Sequence, residues 1–143
     1  MSTYAFIVAV LSLLSPGRDH TDIAKGIDHV IQERGCLYKG ADCERRTSAV
    51  MAVWAWYESG LRVDAKGKQH DCGAWQHVTR DESECQHLRV DATYAATTAW
   101  QDMRASLNAC GDLSAYARGN CEAGKGFVRR RMPKVLWVLA RVK

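Results

Sequence analysis

Apolar side chains recur along this chain at the spacing of helices and almost nowhere at the spacing of strands. Tyr4 to Leu14 is nearly all apolar and runs into Ser15-Pro16-Gly17, so it predicts a buried N-terminal helix within residues 1–20. Thr21 can cap a second helix whose apolar face is Ile23, Ile27, Val30 and Ile31, stopped by Gly35. Glu44 to Tyr57 predicts a third. Its run Ala49 to Tyr57 carries no charge, the signature of a helix enclosed on most sides. Asp91 can cap a long helix with Ala92, Ala96, Ala99, Trp100, Met103 and Leu107 on one face. Asp112 can start a short helix through Tyr116, broken by Gly119. Pro133 suits the first turn of a last helix carrying Val135, Leu136, Leu139 and Val142.

Residues 60–90 fit none of this. They hold Gly60, Gly67 and Gly73 among charged and polar side chains, and only Leu61 and Val63 hint at alternation. This stretch is expected to be irregular, with room for one small hairpin. The fold class is therefore mainly α, with an irregular loop or hairpin region. No repeat, linker or low-complexity segment divides the chain, so residues 1–143 are read as one domain.

Composition narrows the class. The 143 residues suffice for one core, and 47% apolar with 25% charged residues is the balance of a globular chain. A formal charge of +4 is too small an excess to argue for nucleic acid. It suits a protein that meets anionic surfaces such as a bacterial wall. The apolar N-terminus lacks a basic flank and an Ala-x-Ala site, making it a weak export signal, and it is too short to cross a bilayer.

Six cysteines, Cys36, Cys43, Cys72, Cys85, Cys110 and Cys121, favour a disulfide-stapled protein in an oxidising setting. That setting is the cell envelope or the exterior: periplasmic, secreted or phage-associated. The connectivity stays open from sequence. The shortest closures join neighbours, Cys36 with Cys43, Cys72 with Cys85, and Cys110 with Cys121. A competing use is zinc binding by His70, Cys72, His77, Cys85 and His87, but no Cys-x-x-Cys is present and an oxidised pair would remove two ligands. Neither a metal nor a cofactor is expected.

Glu58 is the residue with the most chemistry. It ends the apolar run and is followed by Ser59 and Gly60. Apolar surroundings withdraw hydration from a carboxylate, which favours the protonated acid that glycoside cleavage needs. Three segments follow in order: Glu58-Ser59-Gly60, Gly73-Ala74-Trp75-Gln76, and Ser114-Ala115-Tyr116-Ala117-Arg118-Gly119. Together they resemble the catalytic domain of lytic transglycosylases, in the lysozyme-like superfamily that includes goose-type lysozymes.

The resemblance covers roughly residues 44–131 and implies a lysozyme-like fold acting on peptidoglycan, at the β-1,4 bond between N-acetylmuramic acid and N-acetylglucosamine. It implies that Glu58 acts as acid and then base, that Ser59 orients the carboxylate or substrate, that Gln76 contacts the sugar, and that Tyr116 faces the acid. Trp75 beside such a cleft could stack on a sugar. Two departures stand out: Ala117 replaces the usual Asn, and the Gly73–Gln76 loop is shortened. A Cys72–Cys85 bridge would brace the Gln76 loop and a Cys110–Cys121 bridge the Tyr116 segment.

Glycosidases usually employ a second carboxylate, and Asp64, Asp71, Asp81, Glu82 and Glu84 are the candidates nearest Glu58 in sequence. If none approaches, attack by the substrate's own N-acetyl group suffices, the route the resemblance favours, ending in an anhydro sugar. Water in place of the muramoyl 6-hydroxyl would make a hydrolytic lysozyme. The alternative outside enzymology is a wall-binding or virion structural domain, using the basic end formed by Arg129, Arg130, Arg131, Lys134, Arg141 and Lys143. The expected partner is the peptidoglycan strand, bound by a monomer with no stable membrane span.

Overall fold

Nine consecutive residues of one helix, Thr47 to Ala55, are buried, and that helix organises everything else. The computed structural model describes all of residues 1–143 as seven helices and one two-stranded hairpin. The central helix is α3 (Cys43–Ser59), preceded by α1 (Thr3–Leu14) and α2 (Thr21–Arg34). After it come β1 (Asp71–Cys72), β2 (His77–Val78), α4 (Glu82–Val90), α5 (Ala92–Cys110), α6 (Ser114–Arg118) and α7 (Cys121–Arg141). A helix without a polar stripe must be covered all round. α1, α2, α5 and α7 supply that cover. The two hydroxyls this burial encloses are satisfied: Thr47 Oγ1 accepts from Leu37 N at 2.9 Å and Ser48 Oγ donates to Glu44 O at 2.7 Å.

The N-terminal helix is buried through Phe6, Ile7, Val10, Leu11 and Leu14, as its apolar run predicts. No helix is long and apolar enough to cross a membrane. Asp91 caps α5 by accepting from Tyr94 N at 3.0 Å. The cap of α2 differs from expectation. Thr21 is the first helical residue, and Asp19 accepts from both its amide (2.9 Å) and its hydroxyl (2.5 Å).

Two further differences concern weakly patterned segments. Part of the 60–90 region is helical: Asp81 accepts from Ser83 N and Glu84 N to start α4, which buries only Cys85 and Leu88. Two buried residues in nine leave no periodic signal. The last helix begins at Cys121, not near Pro133, which lies inside it. Proline lacks the N–H that would reach the carbonyl four residues back, and its ring crowds that carbonyl. Here Arg129 and Pro133 are both exposed, so water can serve that carbonyl. The hairpin sits between β1 and β2, with Cys72 opposite His77 and Asp71 opposite Val78, and leaves Leu61 and Val63 outside it.

The bridges are Cys36–Cys43, Cys72–Cys85 and Cys110–Cys121, each joining sequence neighbours at Cα separations of 5.3–5.7 Å. Three bridges and no free cysteine suit an oxidising environment. The Cys72–Cys85 bond also removes both sulfurs from the pool of zinc ligands considered above.

Candidate active site

Three walls meet around a cleft of about 670 Å³. The first is the C-terminal end of α3. Gly60 stops this helix in a left-handed conformation (φ 64°), its N–H returning to Ala55 O and Trp56 O. Glu58 projects from the last turn on the same face as Trp54, four residues earlier, and both line the cleft. A carboxylate in the last turn of a helix opposes the macrodipole, so a neighbouring cation is stabilising there. Arg131 of α7 supplies it, donating from Nη1 to Glu58 Oε1 at 2.6 Å.

This pair changes the picture of an acid resting on a purely apolar surface. The Arg131 guanidinium lies 4.9 Å from the Tyr57 ring centroid, 5.0 Å from Phe127 and 5.7 Å from Trp54. Its side chain is 12% exposed and that of Glu58 30%. Trp54 is fully buried, and its indole N–H has no partner within the protein.

The second wall is the turn of the hairpin. Gly73 holds a positive φ of 81°, and a Cβ there would come within 2.7 Å of Leu88 O, so glycine is required twice over. The turn is fastened from below. Trp75 is buried, and its indole N–H donates to Met51 O of α3 at 2.9 Å. Trp75 is thus an anchor under the cleft and no exposed platform for a sugar. Ser59 also has a role other than the expected one. Its hydroxyl hydrogen is within reach of Ala55 O (3.0 Å) and Ala74 O (2.7 Å), while its oxygen accepts from Arg62 N (3.1 Å). It pins the turn to the helix end and makes no bond to Glu58. Gln76 lines the cleft with φ 53°, its side-chain amide donating to Gly73 O at 2.9 Å. One amide hydrogen and the Oε1 lone pairs are left over. The Cys72–Cys85 bridge ties this turn to α4.

The third wall is α6 with the adjoining face of α5. Asp112 accepts from Ser114 N at 2.9 Å, and the nearby Ser114 hydroxyl together with this amide holds its carboxyl below the usual range. Ser106 of α5 donates to Asp112 O (2.8 Å) and accepts from Tyr116 N (3.1 Å). The Cys110–Cys121 bridge closes the segment. Gly124 lets α7 pack against it: a Cβ there would lie 1.9 Å from Ser114 O. The Tyr116 phenol is pushed far above its ordinary value by burial, then by the negative charges of Glu58 and Asp102, with Arg131 acting the other way. It is a neutral hydroxyl in the cleft that Glu58 also lines, able to donate one hydrogen bond.

Of the carboxylates weighed as a partner for Glu58, only Asp71 lines the cleft. Asp81 caps α4, Glu82 pairs with Lys66 at 3.6 Å, and Glu84 accepts from Tyr94 Oη at 2.7 Å. Asp64 does not line it, though its backbone carbonyl accepts from Arg89. Sequence reasoning missed Asp102, which does line it. His77 Nδ1 lies 3.0 Å from Asp102 Oδ2, and this bond raises the imidazole above its ordinary value. A signal was present: Asp102, Ala105, Ser106 and Ala109 recur at helical spacing as one carboxylate in a stripe of small residues, and all four line the cleft. Arg131 was read as one of a basic run; Phe127, four residues before it, marks the face that turns inward.

No family model, curated protein or solved structure matches this chain.

Proposed function

We propose that this protein cleaves peptidoglycan at the β-1,4 bond between N-acetylmuramic acid and N-acetylglucosamine, with Glu58 as general acid and then base. The observation that carries the reading is the meeting of Glu58, Gln76 and Tyr116, from three distant segments, around one cleft. Glu58 donates to the bridging oxygen as the bond breaks. The substrate's N-acetyl oxygen closes on the anomeric carbon; the muramoyl 6-oxygen then attacks that carbon and displaces the N-acetyl oxygen, while Glu58, now a carboxylate, takes the 6-hydroxyl proton. The products are an anhydro end and a free N-acetylglucosamine end. Tyr116 supplies a neutral donor beside the acid, and Gln76 offers its spare amide hydrogen and its carbonyl to the sugar. No step needs a metal or cofactor. The disulfides fit an envelope, secreted or phage-borne protein working outside the reducing cytosol.

A hydrolytic outcome is the second reading. Its support is Asp71 and the His77–Asp102 pair in the same cleft, which provide acceptors for a water proton. Digestion of purified sacculi followed by mass spectrometry separates the readings. Anhydro-muramoyl ends identify the transglycosylase route and reducing muramoyl ends the hydrolytic route. Sacculi left intact while still binding the protein would replace both with a wall-binding module.

A further inference from the structure

We infer that Arg131 is a substrate-operated counter-ion: a carboxylate borne by the muramoyl unit draws the guanidinium away from Glu58 and so releases the acid for proton transfer. This rests on the peptidoglycan-cleaving reading above. The closed 2.6 Å contact ties up a carboxyl oxygen of Glu58, the group that has to reach the bridging sugar oxygen. Something must take over Arg131 before Glu58 acts.

Arg131 is built to receive a replacement. Its five N–H groups form a planar fork suited to bidentate carboxylates, and only one of them has a hydrogen-bond partner within the protein. The rings of Tyr57, Phe127 and Trp54 line its surroundings with π faces that favour a cation. Phe127 also carries Arg118, whose guanidinium sits 4.3 Å from the ring centroid and which lines the cleft. The surrounding charge favours an arriving anion. Residues 121–143 hold seven Lys or Arg and one Glu, net +6 in a chain of net +4, so the remaining residues are net −2. Lys134 and Arg141 continue the basic surface over the Trp137 ring, at 3.8 Å and 4.2 Å. Asp71 and Asp102 repel the same anion from the other walls, which favours the side where Arg118 lines the cleft and Glu58 meets Arg131.

The proton balance closes. Freed Glu58 takes one proton from solvent, gives it to the bridging oxygen and recovers one from the 6-hydroxyl, ready for the next bond. The device makes cleavage selective for anionic muramoyl strands over neutral polymers of N-acetylglucosamine.

The test compares native substrates with the same material whose carboxylates are capped by carbodiimide coupling to methylamine. Peptide-free glycan strands isolate the lactyl carboxylate; intact sacculi add those of the stem peptide. The wild-type protein should lose about tenfold or more in kcat on the capped form of whichever carrier is responsible, the scale of one charge-assisted contact. The loss should exceed any change in KM, because the exchange gates the chemical step. Arg131→Gln should cleave native and capped strands within about twofold of each other, and Arg131→Lys should keep part of the preference. Equal kcat on native and capped strands of both kinds overturns the inference while leaving the cleavage reading intact. So does an effect confined to KM. Failure to cleave any strand overturns the parent reading instead.

Discussion

Two ion pairs meet the cleft, His77–Asp102 with both partners and Glu58–Arg131 through Glu58 alone, and they differ in nearly every physical respect. Glu58–Arg131 joins α3 to α7 at 2.6 Å, with side chains 30% and 12% exposed and aromatic rings around the cation. His77–Asp102 joins the hairpin to α5 at 3.0 Å, with side chains 31% and 42% exposed. The first contains a cation that keeps its charge at every accessible pH; the second contains one that titrates near neutrality. A guanidinium does not give up its charge near neutrality, so a competing anion is the way to occupy it there. A pair that titrates can respond to the medium alone. One cleft thus carries a ligand-sensitive corner and a proton-sensitive corner.

Loosening the walls should have the largest effect on this contrast. The Cys110→Ser, Cys121→Ser double variant frees the α6–α7 junction, and loss of such a short-loop bridge costs about 2–3 kcal/mol. Activity on sacculi should fall more than far-UV circular dichroism does, because the bridge braces the Tyr116 wall. Arg131→Met comes next. It leaves a part-buried carboxylate in the last turn of α3 without its cation, and urea denaturation should show a loss of about 1–2 kcal/mol. Glu58→Gln in the same chain should recover part of that loss, a coupling that two independent sites would lack.

His77→Gln is expected to do least, about 0.2–1 kcal/mol, as for other exposed pairs. Its signature is in pH. The bond to Asp102 raises His77 above the ordinary 6.5, so the contribution is complete below that value and fades as pH rises through the raised one. Wild-type stability measured from pH 5 to 9 should therefore carry a modest decline that His77→Gln lacks. Half-molar salt should erase most of the His77 contribution and little of the Arg131 one, since screening falls mainly on exposed charge.

How far the sequence foretold the molecule follows the same division between strong and weak signals. Ala49 to Ala55 is core throughout, and the N-terminal run is core at Phe6, Ile7, Val10, Leu11 and Leu14, with Val8 and Ser12 turned outward. The spacing of the cysteines favoured neighbour pairing, which is what forms. α4 escaped notice because its helix rests on the Asp81 cap and two buried side chains. The first half of α7 was masked by Gly124, Gly126 and the arginine run. It is held by the Cys121 bridge and by contact with Ser114, which are tertiary facts with no local pattern. At the cleft, Glu58, Gln76 and Tyr116 were legible as three motifs. The true tasks of Ser59 and Trp75, which fasten the hairpin turn, were not, because a hydroxyl or indole partner is chosen only after folding. Asp102 and Arg131 were hidden for a related reason: each looks like an ordinary helix-surface charge until a neighbouring element turns that surface inward.

The most direct test of the account is the clearing rate of purified sacculi by wild-type protein and by Glu58→Gln, read beside the thermal midpoint of each. The substitution keeps shape and removes only the proton-carrying oxygen, so the account predicts a rate loss of about a hundredfold or more with the fold intact. Undiminished clearing by the folded Glu58→Gln protein would contradict it.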